Sequence, residues 1–209
     1  MTTARHEWCG RRSLAACCAM LALLAAGCAP LKPDEINCAI TAINENFRAD
    51  YEVILRQNGT KEFKVTRAEA YDAVRISMAR LGMTVEAQDP VLGYVNVYGP
   101  APRPLDLAEW NRAADTDLPR ARQIIGPCIG IYSHFFRFEP EGLEVTIGAT
   151  VIEVPGGTSI SFTARMREIA PPKSGMPRRE YLPPTAVNMG LNKMWAELER
   201  EFRATYRKP

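Results

Sequence analysis

Between Leu143 and Arg167 the chain twice alternates apolar and polar residues with a period of two. Leu143, Val145, Ile147, Ala149 and Val151 interleave with Glu144, Thr146, Gly148 and Thr150. Beyond Pro155-Gly156-Gly157, Ile160, Phe162, Ala164 and Met166 interleave with Ser159, Ser161, Thr163, Arg165 and Arg167. That periodicity sends the apolar set to one side of a pleated strand and the polar set to the other, which predicts an antiparallel sheet with one buried and one wetter face. The parity slips near Ile152, where a bulge is expected. A sheet that is apolar on one side needs a cover. Leu191, Met194, Trp195, Leu198 and Phe202 supply it as the wide stripe of a terminal helix, with Thr185 placed to cap it.

Other elements read from local chemistry. Asp34 to Phe47 sets Ile36, Ile40, Ile43 and Phe47 at helical intervals, with Asp34 as N-cap. Tyr51 to Val65 reads as two strands around Asn58-Gly59, a strong hairpin signal. Thr66-Arg67-Ala68-Glu69 is a capping box, and Val65 with Ala70 can form the hydrophobic staple. The helix that follows carries Tyr71, Val74, Met78 and Leu81 on one stripe and ends at Gly82. Met83 to Gln88 and Tyr94 to Tyr98 read as strands joined by a turn at Asp89-Pro90 and Gly93. Residues 99–128 form an excursion: irregular across Pro100, Pro102 and Pro104, then a helix capped by Asp106 through Trp110. A second short helix is expected from Pro119, ending before Gly126. Ile131 to Phe138, rich in aromatic residues, reads as a further strand. The expected class is α+β, an antiparallel sheet with helices packed on one face. With 209 residues, 46% hydrophobic and 24% charged, the composition suits one globular domain and excludes a disordered, collagenous or multi-span membrane chain.

The first residues have a different character. Arg5, Arg11 and Arg12 precede a charge-free stretch from Leu14 to Gly27. As a helix, fourteen residues span roughly 21 Å, short of the ~30 Å bilayer core, so residues 1–27 read as an export signal rather than a membrane span. Leu24-Ala25-Ala26-Gly27-Cys28 resembles the lipobox of bacterial lipoproteins. The family prefers a branched apolar residue where Ala25 stands. The resemblance implies that Cys28 becomes the mature N-terminus and carries acyl chains, with residues 28–33 as a tether. Ala29 after the cysteine, by analogy with enterobacterial sorting, points to the outer membrane. Removing Arg5, Arg11, Arg12 and Glu7 leaves 23 basic and 23 acidic residues from the original 26 and 24. A neutral chain of this kind lacks the basic excess that nucleic acid demands. Cys9, Cys17 and Cys18 leave with the signal, so Cys38 and Cys128 remain. In an oxidising compartment they form either a disulfide or two small buried thiols, with the bridge favoured.

Catalytic signals are sparse. His134 is the one histidine beyond the signal, on a stretch whose alternation groups it with Tyr132, Phe136 and Phe138 and sends Ser133 the other way. One histidine and two distant cysteines do not make a zinc site, so no metal or cofactor is expected. Glu139 and Glu141 flank a turn and read as a solvated hairpin tip. Two stretches suit recognition: the polar side of the late strands, with Arg165 and Arg167, and Lys173 to Tyr181, with Arg178, Arg179 and Tyr181 on a proline-stiffened loop. Plain solvent exposure is the favoured account of both.

The run from Tyr71 to Val95, a capped helix, Gly82, a strand and a glycine-containing turn into a second strand, resembles the opening of BamC-like envelope lipoprotein modules. The likeness extends over about forty residues plus the terminal helix, and the 99–128 excursion departs from it. It implies a helix-grip-like arrangement and an accessory role in outer-membrane assemblies. The expectation is therefore a non-enzymatic lipoprotein facing the periplasm: residues 34–209 as one domain, Cys28 as membrane anchor, Cys38 and Cys128 as staple. The expected contact surface, for another envelope protein, comprises Trp110, Arg165, Arg167, Arg178, Arg179 and Tyr181. The alternative is a small-molecule or lipid carrier with a cavity between sheet and terminal helix.

Overall fold

The computed structural model describes residues 30–170 and 183–205. The chain divides into Met1–Pro33 and Asp34–Pro209, and the description concerns the second unit with the helix that opens it. Five antiparallel strands form one open sheet in the order β1-β5-β4-β3-β2: β1 Thr60–Phe63, β2 Thr84–Asp89, β3 Tyr94–Pro100, β4 Leu143–Val154 and β5 Gly157–Glu168. Four helices accompany it: α1 Pro33–Asn58, α2 Arg67–Arg80, α3 Leu107–Ile129 and α4 Pro184–Thr205. The class is α+β, as the alternation predicts.

Register explains the layering. Val95 pairs with Ala149 and Ala149 with Phe162, while Val97 pairs with Ile147 and Ile147 with Ala164. One face thus gathers Val95, Val97, Val145, Ile147, Ala149, Val151, Ile160 and Phe162, all buried. Upon it lie Val74 and Met78 of α2, with Leu191, Met194, Trp195 and Leu198 of α4. The Phe162 and Trp195 rings sit 4.5 Å apart, and the Trp195 indole donates to the Asn58 carbonyl at 2.7 Å. No bulge forms at Ile152. It pairs regularly with Ser159 on a strand that runs on to Val154, and its side chain is exposed on the open face. The irregularity falls instead between Val85 and Ala87.

The second capping box and the first both form: Thr66 with Glu69, and Asp106 with Glu109. Gly82 takes φ +75°, a left-handed conformation that costs a side-chain-bearing residue free energy.

Further expectations fail for identifiable reasons. The Tyr51–Val65 hairpin does not exist. Tyr51, Ile54 and Leu55 continue the helical spacing of Ile43 and Phe47 and pack against the core, so α1 runs on to Asn58. Gly59 then ends the helix where a Cβ would lie 2.5 Å from the Leu55 carbonyl oxygen. Only Thr60–Phe63 is extended, and it pairs with β5. Asp34 lies inside the first turn, because Pro33 opens the helix.

The third miss is a second helix from Pro119. Helix α3 is continuous through Pro119 and Pro127, with Trp110, Ala113, Ala114, Ala121, Ile125 and Ile129 buried along it. Both prolines are on exposed positions, where water can reach the carbonyls they leave without an amide partner. Last, Ile131–Phe138 is not a strand: Gly130–Phe135 forms a 3-10 helix. Glu141 accordingly sits in a turn leading into β4, not at a hairpin tip.

Cys38 of α1 and Cys128 of α3 form a disulfide, with Cα atoms 5.7 Å apart. It joins residues 90 apart in sequence, and closing so long a loop restricts the unfolded chain by about 4.6 kcal/mol. Cys128→Ser is expected to lower unfolding stability by a large part of that, read from the urea midpoint under non-reducing conditions. An unchanged midpoint would mean that the bridge contributes nothing.

Candidate functional site

The sheet has a second face that no described helix covers. Rows run across it by register: Tyr94, Thr150, Ser161 and Thr60 in one, Asn96, Gly148 and Thr163 in the next, then Tyr98, Thr146 and Arg165. Polar groups there satisfy one another along the rows. The Thr60 and Ser161 hydroxyls lie 2.9 Å apart, and Arg167 Nε donates to Glu144 at 2.6 Å. Arg165 is exposed and makes no ion pair with any described acidic residue. Gly148 leaves a shallow gap between Asn96 and Thr163, where a Cβ would come within 2.9 Å of the Thr163 hydroxyl oxygen. The face therefore offers hydroxyls, an amide, two tyrosine edges and a free guanidinium on a rigid hydrogen-bonded platform.

The predicted contact residues are scattered. Arg165 and Arg167 stand on this face. Trp110 does not and cannot touch a partner: it is 1% exposed, packed with Leu105, Ala113, Ala114 and Ala186, its indole donating to the Phe138 carbonyl at 3.0 Å. The helical spacing of α3 turns it inward. Cys28 with the signal segment, and Lys173, Arg178, Arg179 and Tyr181, lie outside the described residues.

His134 sits exposed on the 3-10 helix, and its backbone carbonyl accepts from Arg137 at 3.0 Å. Ser133 is buried and donates to the Gly130 carbonyl at 2.8 Å, so the two adjacent residues serve the local turn. Among the described residues, no three His, Cys, Asp or Glu side chains gather to hold a metal ion.

Between the sheet and α4, Pro104, Leu105, Val145, Ile147, Leu191 and Met194 border a cavity of about 20 Å³, room for roughly one water molecule. Phe162 and Trp195 occupy the neighbouring space. Of two nearby aromatics in the chain, Phe136 is buried against Phe138, and Phe135 is exposed. No family model matches this chain, and neither a curated protein nor a solved structure is similar to it.

One polar contact that local sequence could not reveal secures the site's frame. Thr185 does not cap α4. Instead the Asp117 carboxylate of α3 accepts from the Thr185 backbone N–H and hydroxyl, each at 2.8 Å. Burial pushes the Asp117 carboxyl above its ordinary value of 3.8, against the lowering pull of the Thr185 bonds and Arg120. The folded chain then holds that proton more tightly than the unfolded chain. Its contribution to stability is greatest below 3.8 and is lost as pH rises through the higher native value. Asp117→Asn, which keeps an acceptor oxygen, should lose less stability than wild type across that window, measured by urea unfolding at stepped pH. Parallel profiles would refute the assignment.

Proposed function

We propose that this chain is a non-enzymatic, lipid-anchored envelope protein whose domain presents its uncovered sheet face to another envelope component. The observation that carries the reading is the pairing of a filled core with an open polar face. One side of the sheet is sealed by α2 and α4 around a cavity of about 20 Å³, and the other keeps Tyr98, Thr146 and Arg165 in an uncovered row. A platform of this kind suits a partner that brings complementary hydrogen bonds and a carboxylate for Arg165. The likeness of Leu24–Cys28 to a lipobox supports attachment through Cys28, with residues 1–27 removed and the domain on the periplasmic side of the outer membrane. The Cys38–Cys128 disulfide fits an oxidising compartment. The likeness of Tyr71–Val95 to the opening of BamC-like modules supports an accessory role.

A carrier of small molecules or lipids is the less favoured reading, because an acyl chain or metabolite needs hundreds of cubic ångströms of enclosed space. Two measurements test the proposal. A palmitate analogue fed to cells should label wild type and not Cys28→Ala. A photo-crosslinking amino acid at Arg165 should capture a defined envelope protein, and Arg165→Glu should weaken that association roughly ten-fold or more through the lost charge-assisted bonds. Equal labelling of Cys28→Ala would sink the anchor. Crosslinks that are absent at position 165 would sink the contact face.

A further inference from the structure

The 3-10 helix Gly130–Phe135 carries a pair of side chains that the fold leaves in water. Ile131 is 71% exposed and Phe135 70%, while Ser133 and Phe136 of the same stretch are buried. The turn is a finished structure rather than a frayed one. Ser133 Oγ donates to the Gly130 carbonyl, the Phe136 amide to the Ser133 carbonyl, and Arg137 to the carbonyls of His134 and Phe136. Backbone groups already satisfied in this way can approach hydrocarbon at little cost.

Its position in the chain sets it apart from other exposed apolar residues such as Val91. Ile131 follows Cys128 by three residues, and the disulfide holds Cys128 beside Cys38, in the early part of α1. From Cys28 to Pro33 is five residues, at most about 18 Å of extended chain. From Pro33 to Cys38 is roughly 7.5 Å of helix. Resting on the lipid-anchor reading, we propose that Ile131 and Phe135 form an apolar tip that seats in the interfacial layer of the bilayer to which Cys28 is fastened. Asp34 and Glu35 in the first turn of α1 disfavour an anionic headgroup as the attraction, so the apolar side chains drive the contact. Each side chain taken out of water contributes roughly ten-fold or more to partitioning. The tip is thus a second signal beside the acyl chains, and it fixes which end of the domain faces the membrane.

The test uses the protein purified from expressing membranes and reconstituted into phosphatidylcholine vesicles. Ile131→Cys, Phe135→Cys and, for comparison, Val91→Cys are each labelled with an environment-sensitive fluorophore. Wild type serves as the blank. Expected are a blue-shifted emission and a several-fold weaker iodide quenching at 131 and 135, with quenching by brominated acyl chains, and no such change at 91. Iodide access at 131 and 135 equal to that at 91, on protein that floats with the vesicles, overturns the tip while leaving the anchor standing. A wild-type blank that takes up label and does not float overturns the anchor, and unprotected tip positions in that sample overturn the tip as well. Protection that appears without vesicles as protein concentration rises overturns it too, in favour of self-association.

Discussion

Everything in this fold follows from the one-sided hydrophobicity of the β4–β5 hairpin. Its twelve-residue strands pair continuously from Leu143 with Glu168 to Val154 with Gly157, so every apolar residue of the alternation lands on the same side. That side removes Ile147, Ile160 and Phe162 from water only if a helix lies over it, and α4 does so with Trp195 against Phe162. Aromatic contact of that kind adds about 0.5–1.5 kcal/mol to the burial itself. The polar partners of the alternation are carried to the opposite face by the same period. Covering one face and leaving the other open is thus one event seen from two sides.

The helices are tied to the sheet and to one another by contacts far apart in sequence. Tyr51 of α1 inserts its hydroxyl into the β5 backbone, donating to the Ala164 carbonyl at 2.6 Å and accepting from the Ala164 amide at 2.9 Å. The disulfide joins α1 to α3, and Asp117 joins α3 to α4. Arg80 of α2 forms ion pairs with Glu197 and Glu201 of α4. This chain of ties runs through each of the four helices, which is why a 23-residue helix holding two prolines stays in register with its neighbours.

Legibility in the sequence tracked the range of the interaction. Features decided within four residues, such as the boxes at Thr66 and Asp106, the stop at Gly82 and the strand alternation, were readable because the competing forces sit side by side in the chain. Asn58-Gly59 misled because the same dipeptide can end a helix or turn a hairpin, and the choice fell to the burial of Tyr51 and Leu55. The aromatic run at Ile131–Phe138 misled because β propensity mostly reports a half-buried, pleated setting, and this stretch is held in a turn by Ser133 and Arg137 instead. Trp110 misled because its helical spacing with Ala113, Ala114, Ala121 and Ile125 shows only once α3 is read through Pro119, and the Ala186 that covers it lies far along the chain. Asp117 gave no sign at all, since its partner lies 68 residues away.

On the proposed reading, the open face and the apolar tip place complementary demands on one folded unit. A protein held only by a flexible tether samples every orientation, and a recognition face on it meets its partner no more often than chance allows. A second point of attachment removes that freedom before the partner arrives, which lowers the orientational cost of docking. The disulfide is what makes a second point useful. It links α1 directly to α3, from which the 3-10 helix extends; on the proposed reading the tether enters α1, and a seated tip would orient the sheet as well. With the bridge open, the 3-10 helix would still be held between α3 and β4 by the buried Phe136, but α1 would no longer be tied to the end of α3.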